Sequence, residues 1–271
     1  MDLSNSNVLF ALGVTLFAGL ATGLGSLLSL VTSRTNTKFL SFALGFSAGV
    51  MIYVSMIEIF PKATKSLSLT YDLKTATIIT VLGFFSGMLV IGLIDKLIPS
   101  TENPHEVHTV EEMDGKSPEH LESLHRMGTF TALAIAIHNF PEGLATFMAT
   151  LSDPTLGIPI AAAVAIHNIP EGIAVAVPIF YATGSRKKAF RLSFLSGLTE
   201  PIGALVGYFL LRSFISDAVM GVVFAGVAGI MVFISLDELL PSAREYGEHH
   251  LSIYGLVLGM VVMATSLILF M

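Results

Sequence analysis

The chain has 271 residues, of which 53% are hydrophobic and only 13% are charged, and its mean hydropathy is +0.78. A soluble domain of this length carries about twice that charged fraction, so the composition excludes a soluble globular protein. The absence of cysteine excludes disulfides, thiolate metal sites and a cysteine nucleophile, and the net charge of -6 gives no indication of nucleic-acid binding.

Eight apolar segments predict eight membrane spans. Each is close to the ~20 residues that a helix needs to cross a bilayer, and the short alternating strands of a membrane barrel are not seen. The first seven residues, MDLSNSN, carry no Lys or Arg, so the first segment is predicted to be a span rather than a cleaved signal peptide. The sequence therefore predicts an all-α polytopic membrane protein with a single transmembrane domain over residues 1–271. Its predicted spans are 8–31, 39–60, 76–98, 128–150, 157–180, 189–211, 217–240 and 251–271.

The distribution of Lys and Arg predicts the orientation of these spans. Ten of the 14 basic residues follow odd-numbered spans, so the positive-inside rule places the odd-numbered connections in the cytoplasm. Because the number of spans is even, both termini are then external, in a multi-pass protein of the cytoplasmic (inner) membrane. The strongest anchor is the SRKK run at Ser185–Lys188.

The connection between spans three and four, residues 99–126, differs from the others because it is polar and acidic. Two interpretations remain open. It is either a disordered cytoplasmic linker or a loose metal-collecting loop, because imidazoles and carboxylates bind Zn²⁺ or Fe²⁺. Its histidines are too irregularly spaced for a defined structural zinc site; they are His105, His108, His120 and His125.

Two pairs of segments repeat within the chain. AIHNFPEGLA, at Ala136–Ala145, matches AIHNIPEGIA, at Ala165–Ala174, almost throughout. AGVMIYVSMIEIFPKA, at Ala48–Ala63, matches AGIMVFISLDELLPSA, at Ala228–Ala243, with an offset of 180 residues. The first pair relates span four to span five, and the second relates span two to span seven.

A fainter repeat relates Ala18–Leu28 in span one to Ser196–Val206 in span six. Spans two and seven cross the membrane in opposite directions, and so do spans four and five, so the repeat is inverted. Spans 1–3 are thus predicted to correspond to spans 6–8, and span 4 to span 5. This symmetry is typical of secondary transporters, whose substrate site lies near the membrane midplane. Transport is therefore the leading functional class.

The repeated motif combines groups that bind metals. His138 and Glu142 are four residues apart, so they share one face of a helix, and Asn139 lies at the edge of that face. Pro141 has no N–H group, which leaves a backbone carbonyl of the preceding turn without its usual helical donor. The equivalent metal-binding groups of the second copy are His167, Asn168 and Glu171.

Three acidic side chains are predicted near the middle of the membrane: Glu142, Glu171 and Glu200. Each costs roughly 2.5–3.5 kcal/mol if it faces lipid alone. No Lys or Arg lies in the central part of any predicted span, so either protonation or a bound cation must compensate them. Imidazole, carboxylate and amide oxygens together suit a borderline divalent metal such as Zn²⁺, Fe²⁺, Mn²⁺ or Co²⁺.

Other functional classes are less well supported by the motif. An intramembrane metalloprotease is the least favoured, because Asn139 and Asn168 stand where the H-E-x-x-H motif has its glutamate. No dedicated general base is then left, and we expect neither an enzyme nor a catalytic cofactor. A metal-gated channel and a membrane metal sensor remain alternatives to a carrier.

On these motifs the chain resembles the ZIP (Zrt-, Irt-like protein) family of divalent metal transporters, and most closely its bacterial ZupT-like branch. The resemblance covers nearly the whole chain: eight spans, external termini, a His-bearing connection after span three, and the H-N-x-P-E-G motifs. It implies uptake of Zn²⁺, and also of Fe²⁺, Mn²⁺ and Co²⁺, by movement of one helical bundle against another. The expected partners are the metal, the lipid bilayer and a second copy of the chain in a homodimer.

The resemblance also implies a binuclear metal centre between spans four and five, completed by span six. Glu142 and Glu171 bridge its two sites. The first site consists of His138, Glu142, His167 and Glu171. The second site consists of Asn139, Glu142, Asn168, Glu171 and Glu200.

Three further acidic residues are predicted to line the pathway. Glu58 lies near the external end of span two, and Asp237 and Glu238 lie near the cytoplasmic end of span seven. Glu58 and Glu238 are equivalent positions of the repeat. The alternative interpretation is that all three are solvated residues at helix ends.

Overall fold

The computed structural model describes residues 5–31, 37–97, 118–211, 216–245 and 249–269. Within these ranges every regular element is helical, which confirms the all-α prediction. Six segments are long and apolar enough to cross a membrane, as a multi-pass membrane protein requires. They are Asn5–Leu30, Ser41–Leu67, Leu73–Ile94, Gly157–Thr183, Asp217–Arg244 and His250–Leu269. The predicted fourth and sixth spans are not among these six.

The described residues form α-helices, two of which continue into π-helical turns. The α-helices are α1 Asn5–Val31, α2 Thr37–Val54, α3 Phe60–Leu67, α4 Leu73–Leu97, α5 Pro118–Ser152, α6 Pro154–Thr183, α7 Arg186–Gly197, α8 Thr199–Leu211, α9 Asp217–Ile234, α10 Leu240–Glu245 and α11 His249–Leu269. The π-helical turns are Ser55–Ile59, between α2 and α3, and Ser235–Leu239, between α9 and α10.

Local capping explains the tight connections on either side of α6. Asp153 alone joins α5 to α6, and its carboxylate accepts a hydrogen bond of 3.0 Å from the backbone N–H of Thr155. Gly184 ends α6 in the left-handed conformation, with φ of 64°. The Ser185 hydroxyl then caps α7 by accepting from the backbone N–H of Lys188 at 3.3 Å. At each end of α6 the chain therefore passes to the neighbouring helix within one or two residues.

The start of α5 differs from the sequence prediction. The structure begins this helix at Pro118, so residues 118–126 of the predicted connection are helical. A proline is well suited to the first helical position because no N–H is needed there. The rest of the predicted connection lies outside the described residues, including His105 and His108.

The helices pack as two groups. One group consists of α1, α5, α6, α7 and α8, and the other of α2, α3, α4, α9, α10 and α11. The main contact between the groups is that of α2 with α6, with smaller contacts of α5 with α9 and of α6 with α11. The motif-bearing helices α5 and α6 therefore belong to the same group, and α6 faces the other group.

Glycines allow close helix crossings in the second group. Gly49 on α2 faces the backbone of Leu256 on α11, and Gly229 on α9 faces the backbone of Phe84 on α4. A Cβ atom at either glycine would overlap the neighbouring backbone. Small residues at helix crossings are the usual means of close packing in membranes, where lipid is as apolar as the side chains.

We expect Gly49→Ala to lower thermal stability, because the added methyl group separates α2 from α11 at a cost of about 1–3 kcal/mol. The matched control is Gly13→Ala on α1, where nothing lies within 4 Å of the added carbon. That change should leave stability equal or higher, since alanine is the better helix former. Circular-dichroism melting of both variants tests the prediction, and a midpoint for Gly49→Ala at or above the wild type would contradict it.

Candidate metal centre

The motif residues lie inside the first group of helices. Asn139 and Glu142 are on α5, Asn168 and Glu171 on α6, and Glu200 is at the start of α8. All are buried: the two asparagines and Glu200 are fully enclosed, and Glu171 is the most exposed at 9%. Polar groups buried to this degree need partners, so each contact they make is informative.

A glycine crossing brings α8 against the α5 motif. Gly143 faces the backbone of Glu200, and Gly203, one turn further along α8, faces the backbone of Phe140. A side chain at either position would overlap the opposite helix. The glycine of the first motif thus positions Glu200 beside the motif carboxylate.

A second crossing brings α1 against the α6 motif in the same way. Gly172 faces the backbone of Thr22, and Gly25 faces the backbone of Ile169. Both copies of the motif therefore use their final glycine for contact with a neighbouring backbone. The functional use of this glycine is packing, and its effect is to hold Asn168 and Glu171 next to α1.

The asparagine side chains are oriented by backbone carbonyls. Asn139 Nδ2 donates to the Ser196 carbonyl at 3.4 Å, and Asn168 Nδ2 donates to the Ala18 carbonyl at 2.9 Å. Asn168 Nδ2 also donates to Glu200 Oε1. With the amide nitrogens engaged, both amide oxygens are buried and have no donor among the described atoms. A buried oxygen without a donor is costly, and a cation satisfies it.

The three carboxylates are electrostatic neighbours. Glu200 interacts unfavourably with Glu142 and, less strongly, with Glu171, while Asn168 stabilises it by hydrogen bonding. Its second oxygen, Oε2, is buried without a donor among the described atoms. Like charges in a medium of low dielectric repel strongly, so the group favours a bound cation.

The described side chains do not by themselves form a closed metal cage. Among them, no group of three or more His, Asp or Glu residues is close enough to hold a metal ion. The side chains of His138 and His167 are outside the described part, although both residues lie within the α5 and α6 backbones. The structure thus joins Asn168 to Glu200, with Glu142 and Glu171 as electrostatic neighbours of Glu200, and gives no position for either imidazole.

Sequence analysis missed the groups that orient the asparagines. The acceptor carbonyls belong to Ser196 and Ala18, which are also the first residues of the two faintly repeated segments. The alignment of those segments could have predicted that both asparagines contact equivalent positions. Every residue has a backbone carbonyl, so residue type does not show which carbonyl accepts a hydrogen bond. The repeat was therefore the available indication.

Comparison with known proteins identifies the family. The family model described as "ZIP Zinc transporter" matches residues 99–267. "Zinc transporter ZupT" of Chlorobium chlorochromatii is 64% identical over 264 residues, covering 97% of this chain and 98% of that protein. The proteins of the same name from Lysinibacillus sphaericus and Streptococcus mutans are 65% and 63% identical, and cover 98% and 95% of the chain and 99% and 96% of their own lengths.

The chain belongs to the ZIP family. The predicted resemblance to its bacterial ZupT-like branch is thereby confirmed. Members of this family are transporters, so this ZIP protein is a membrane transporter of a divalent metal and not an enzyme. The metal is its substrate rather than a resident cofactor.

The predicted pathway residues of this ZIP protein lie in the π-helical turns. Glu58 is in the turn between α2 and α3 and is partly buried, whereas Asp237 is in the turn between α9 and α10 and is exposed. The side chain of Glu238 is outside the described part. A π-helical turn widens the helix locally and is frequent at functional sites.

A basic residue that the sequence analysis did not single out lies beside Glu58. Lys62 follows one turn later, with its Nζ 5.7 Å from the centroid of the Phe224 ring. Its ammonium group interacts favourably with Asp153 and with Glu58. The spacing of Glu58 and Lys62 along one helix could have indicated this pair.

One histidine of the connection between predicted spans three and four contacts a lysine. His125 lies on α5, and its Nε2 is 2.6 Å from Nζ of Lys188 at the start of α7. A lysine ammonium is a donor, so the imidazole nitrogen accepts a hydrogen bond there. His125 thus ties α5 to α7, a contact that does not require a metal.

We expect Glu200→Gln to raise the stability of the metal-free protein. Glutamine has the same shape and keeps an acceptor for Asn168, but it removes one of three neighbouring charges, which is worth about 1–4 kcal/mol. The measurement is circular-dichroism melting in the presence of a chelator. Glu122→Gln, an exposed position near the start of α5, is the matched control and should change little. A lower midpoint for Glu200→Gln than for this control would contradict the electrostatic account.

Proposed function

We propose that this ZIP protein carries Zn²⁺ into the cytoplasm through a mid-membrane site on α5, α6 and α8. The carrying observation is the buried group of asparagine and glutamate side chains, whose oxygens include three without a donor among the described atoms. Zinc is the first candidate cargo because the related proteins are named zinc transporters. The mixed nitrogen and oxygen ligands also accommodate Fe²⁺, Mn²⁺ and Co²⁺, with affinities that follow the ion more than the protein.

The proposed centre is binuclear. Glu142 and Glu171 bridge a first site, completed by His138 and His167, and a second site, completed by Asn139, Asn168 and Glu200. The orientation of the amides supports the second site, because their nitrogens are held by carbonyls and their oxygens remain for a cation. Neutral amides beside carboxylates moderate the charge of the site, so a divalent ion is held without being trapped.

Charge compensation explains why the carboxylates are tolerated. Three acids at the bilayer centre together cost roughly 8–10 kcal/mol if each costs roughly 2.5–3.5. No Lys or Arg lies in the central part of the proposed spans, so a salt bridge is not available there. A dehydrated divalent cation between the acids provides the missing positive charge and is released when they open toward water.

Eight spans related by an inverted repeat form the proposed framework. The fourth span corresponds to α5 and the sixth to α7 and α8 in succession, since neither of these short helices reaches the ~20 residues needed to cross alone. Two π-helical turns that begin at Ser55 and Ser235 support the repeat, because their separation equals the 180-residue offset of the sequence match. The helix pairs are consistent with it as well, since α1 contacts α6 as α8 contacts α5.

The asparagine contacts give further support to the repeat. The donor residues Asn139 and Asn168 are equivalent in the two motifs, and their acceptors, Ser196 and Ala18, are equivalent in the fainter repeat. The same relation holds for the close crossings, in which Gly143 faces Glu200 and Gly172 faces Thr22. A pseudo-two-fold axis in the membrane plane accounts for both sets of contacts.

Transport by movement of one helical group against the other fits the packing. All proposed ligands are on α5, α6 and α8, which belong to the first group, so this group can move with its metal as a unit. The contact between the groups is made chiefly by α2 on α6. The second group, anchored by the close crossings at Gly49 and Gly229, then provides the fixed wall.

The proposed path leads past the π-helical turns. The ion enters from outside at Glu58, exchanges water for the ligands at the centre, and leaves at Asp237 and Glu238. Ligands must lose protons to bind the metal, so protons compete with zinc and assist its release. A second copy of the chain in a homodimer remains part of the proposal, and the exposed apolar faces of α4 and α11 are available for it.

We expect Glu142→Gln and His138→Ala to lower zinc flux at least about tenfold, since each removes a proposed ligand. The measurement is initial uptake of radioactive zinc into proteoliposomes that contain purified protein. Glu122→Gln is the matched control on the same helix and should retain wild-type flux. Wild-type flux in both ligand variants would refute the site.

The dependence of flux on concentration separates a carrier from a metal-gated channel. A carrier saturates with zinc and has a strong temperature dependence, whereas a channel gives single-channel currents. A channel result would refute the bundle movement and leave the ligand assignment in place.

The proposed orientation is testable because the chain has no cysteine. A single introduced cysteine is then the one thiol that a maleimide can label. A cysteine at Leu69, exposed between α3 and α4, should react with a membrane-impermeant maleimide in intact spheroplasts. A cysteine at Lys187, exposed on α7, should react only after permeabilisation. The opposite pattern would reverse the orientation, and labelling of both from outside would refute the proposed span count.

A further inference from the structure

An apolar groove opens between α1, α6 and α7. It encloses about 650 Å³, within the range of roughly 300–1,000 Å³ typical of small-molecule sites. We call it the α1–α6–α7 groove. It is lined by apolar residues of all three helices, among them Phe17, Leu24, Ile166, Ile169, Phe190 and Phe194.

The groove is open on the outer surface of the first group of helices. Phe17 and Leu24 at its edge are 61% and 54% exposed, respectively. In a membrane protein, the medium that meets such a surface is lipid hydrocarbon, and a lined groove offers an acyl chain more contacts than a flat helix face. The dimensions and the apolar lining therefore suit one lipid chain.

One end of the groove carries positive charge. Arg186 is four residues before Phe190 and eight before Phe194, so it shares their face of α7. Arg186 and Lys187 are exposed, and the Arg186 guanidinium lies 5.9 Å from the centroid of the Phe180 ring. The acyl chain of a lipid in the groove would thus extend toward the membrane interior. Its head group would lie next to Arg186 and Lys187.

We propose that the α1–α6–α7 groove binds an anionic phospholipid, with one acyl chain in the groove and the phosphate at Arg186 and Lys187. Basic residues next to a hydrophobic surface recognise anionic lipid head groups in this way. The groove is distinct from the proposed metal centre, but its α6 wall includes Ile166, which precedes the second motif, and Ile169, which lies within it. A bound chain supports the outer side of the helix that carries Asn168 and Glu171.

A second copy of the chain is a less suitable occupant. A two-fold contact in a membrane has its axis along the membrane normal, so equivalent ends of both copies meet at the same surface. Such a contact would bring Arg186 and Lys187 of one copy next to the same cations of the other. An anionic lipid is attracted by the charges that would oppose this contact.

The experiment uses the absence of tryptophan from the chain, so a single introduced tryptophan is the only indole emitter. Phe194→Trp and Phe17→Trp each place it in the groove, and the second reporter serves if the first variant does not fold. Phe10→Trp, on an exposed site closer to the start of α1, is the matched control. Each purified variant is reconstituted into vesicles of phosphatidylcholine, in which brominated phosphatidylglycerol or brominated phosphatidylcholine replaces an equal fraction of lipid.

We expect brominated phosphatidylglycerol to quench the groove reporters with a relative association constant at least about five times that of phosphatidylcholine, the factor for one basic residue near an anionic lipid. The control should show a ratio near one. Adding Arg186→Gln and Lys187→Gln to a groove reporter should reduce its ratio to near one.

Three results would overturn the proposal. A ratio near one at both groove reporters would show that the lipid is not selected by charge. An equal preference for phosphatidylglycerol at Phe10→Trp would show that the preference comes from the overall charge of the protein. A preference at the groove that persists without Arg186 and Lys187 would show the same. Groove reporters quenched by neither lipid would show that another protein surface covers the groove.

Discussion

The structure depends on the burial of three acidic side chains, Glu142, Glu171 and Glu200, among largely apolar helices. Glu200 is fully enclosed and interacts unfavourably with Glu142 and, less strongly, with Glu171. Apolar neighbours do not neutralise a charge, and Asn168 donates a hydrogen bond to one oxygen of Glu200. A group of this kind is unfavourable when empty and favourable when it holds a cation, and this difference is what binding a cargo requires.

The backbone contacts determine where that charge lies. Glu200 reaches the motif on α5 only because Gly143 lets the two backbones touch, and the α6 motif meets α1 through Gly172. The asparagines add orientation, since carbonyls of Ser196 and Ala18 hold their nitrogens. Glycine, asparagine and glutamate in each motif thus have separate roles: close approach, an oriented oxygen and charge.

Sequence reasoning succeeded where a property depends on one helix at a time. The all-α class followed from the length of the apolar runs, because each run is long enough for a helix to cross a bilayer. It failed where a feature depends on contacts between neighbouring helices. The break between α7 and α8, the carbonyl partners of the asparagines and the contact of His125 with Lys188 depend on tertiary packing. The helical start at Pro118 was missed because the polar residues around it suggested a connection. The proline followed by a glutamate is a typical helix start and could have predicted it.

The proposed repeat also accounts for a difference between the two halves of the proposed site. Under the alignment that pairs Ala18 with Ser196, the equivalent of Glu200 is Thr22 on α1. Thr22 is fully buried, and its hydroxyl oxygen has no hydrogen-bond partner among the described atoms. Under the proposed repeat the framework is therefore nearly symmetric, whereas the charge differs between Glu200 and Thr22.

This asymmetry has a consequence for transport. Two repeats with identical side chains would give inward-open and outward-open states of equal energy, because the pseudo-two-fold axis exchanges them. In the proposed site, a carboxylate on α8 and a hydroxyl on α1 remove that equivalence, since the metal would then be held more strongly toward one side of the centre. The energy difference between the two states thus depends on the occupant of the site, and an ion can shift the equilibrium only by this differential affinity. In the proposed mechanism, Glu200 is therefore the residue that couples the metal to the direction of movement.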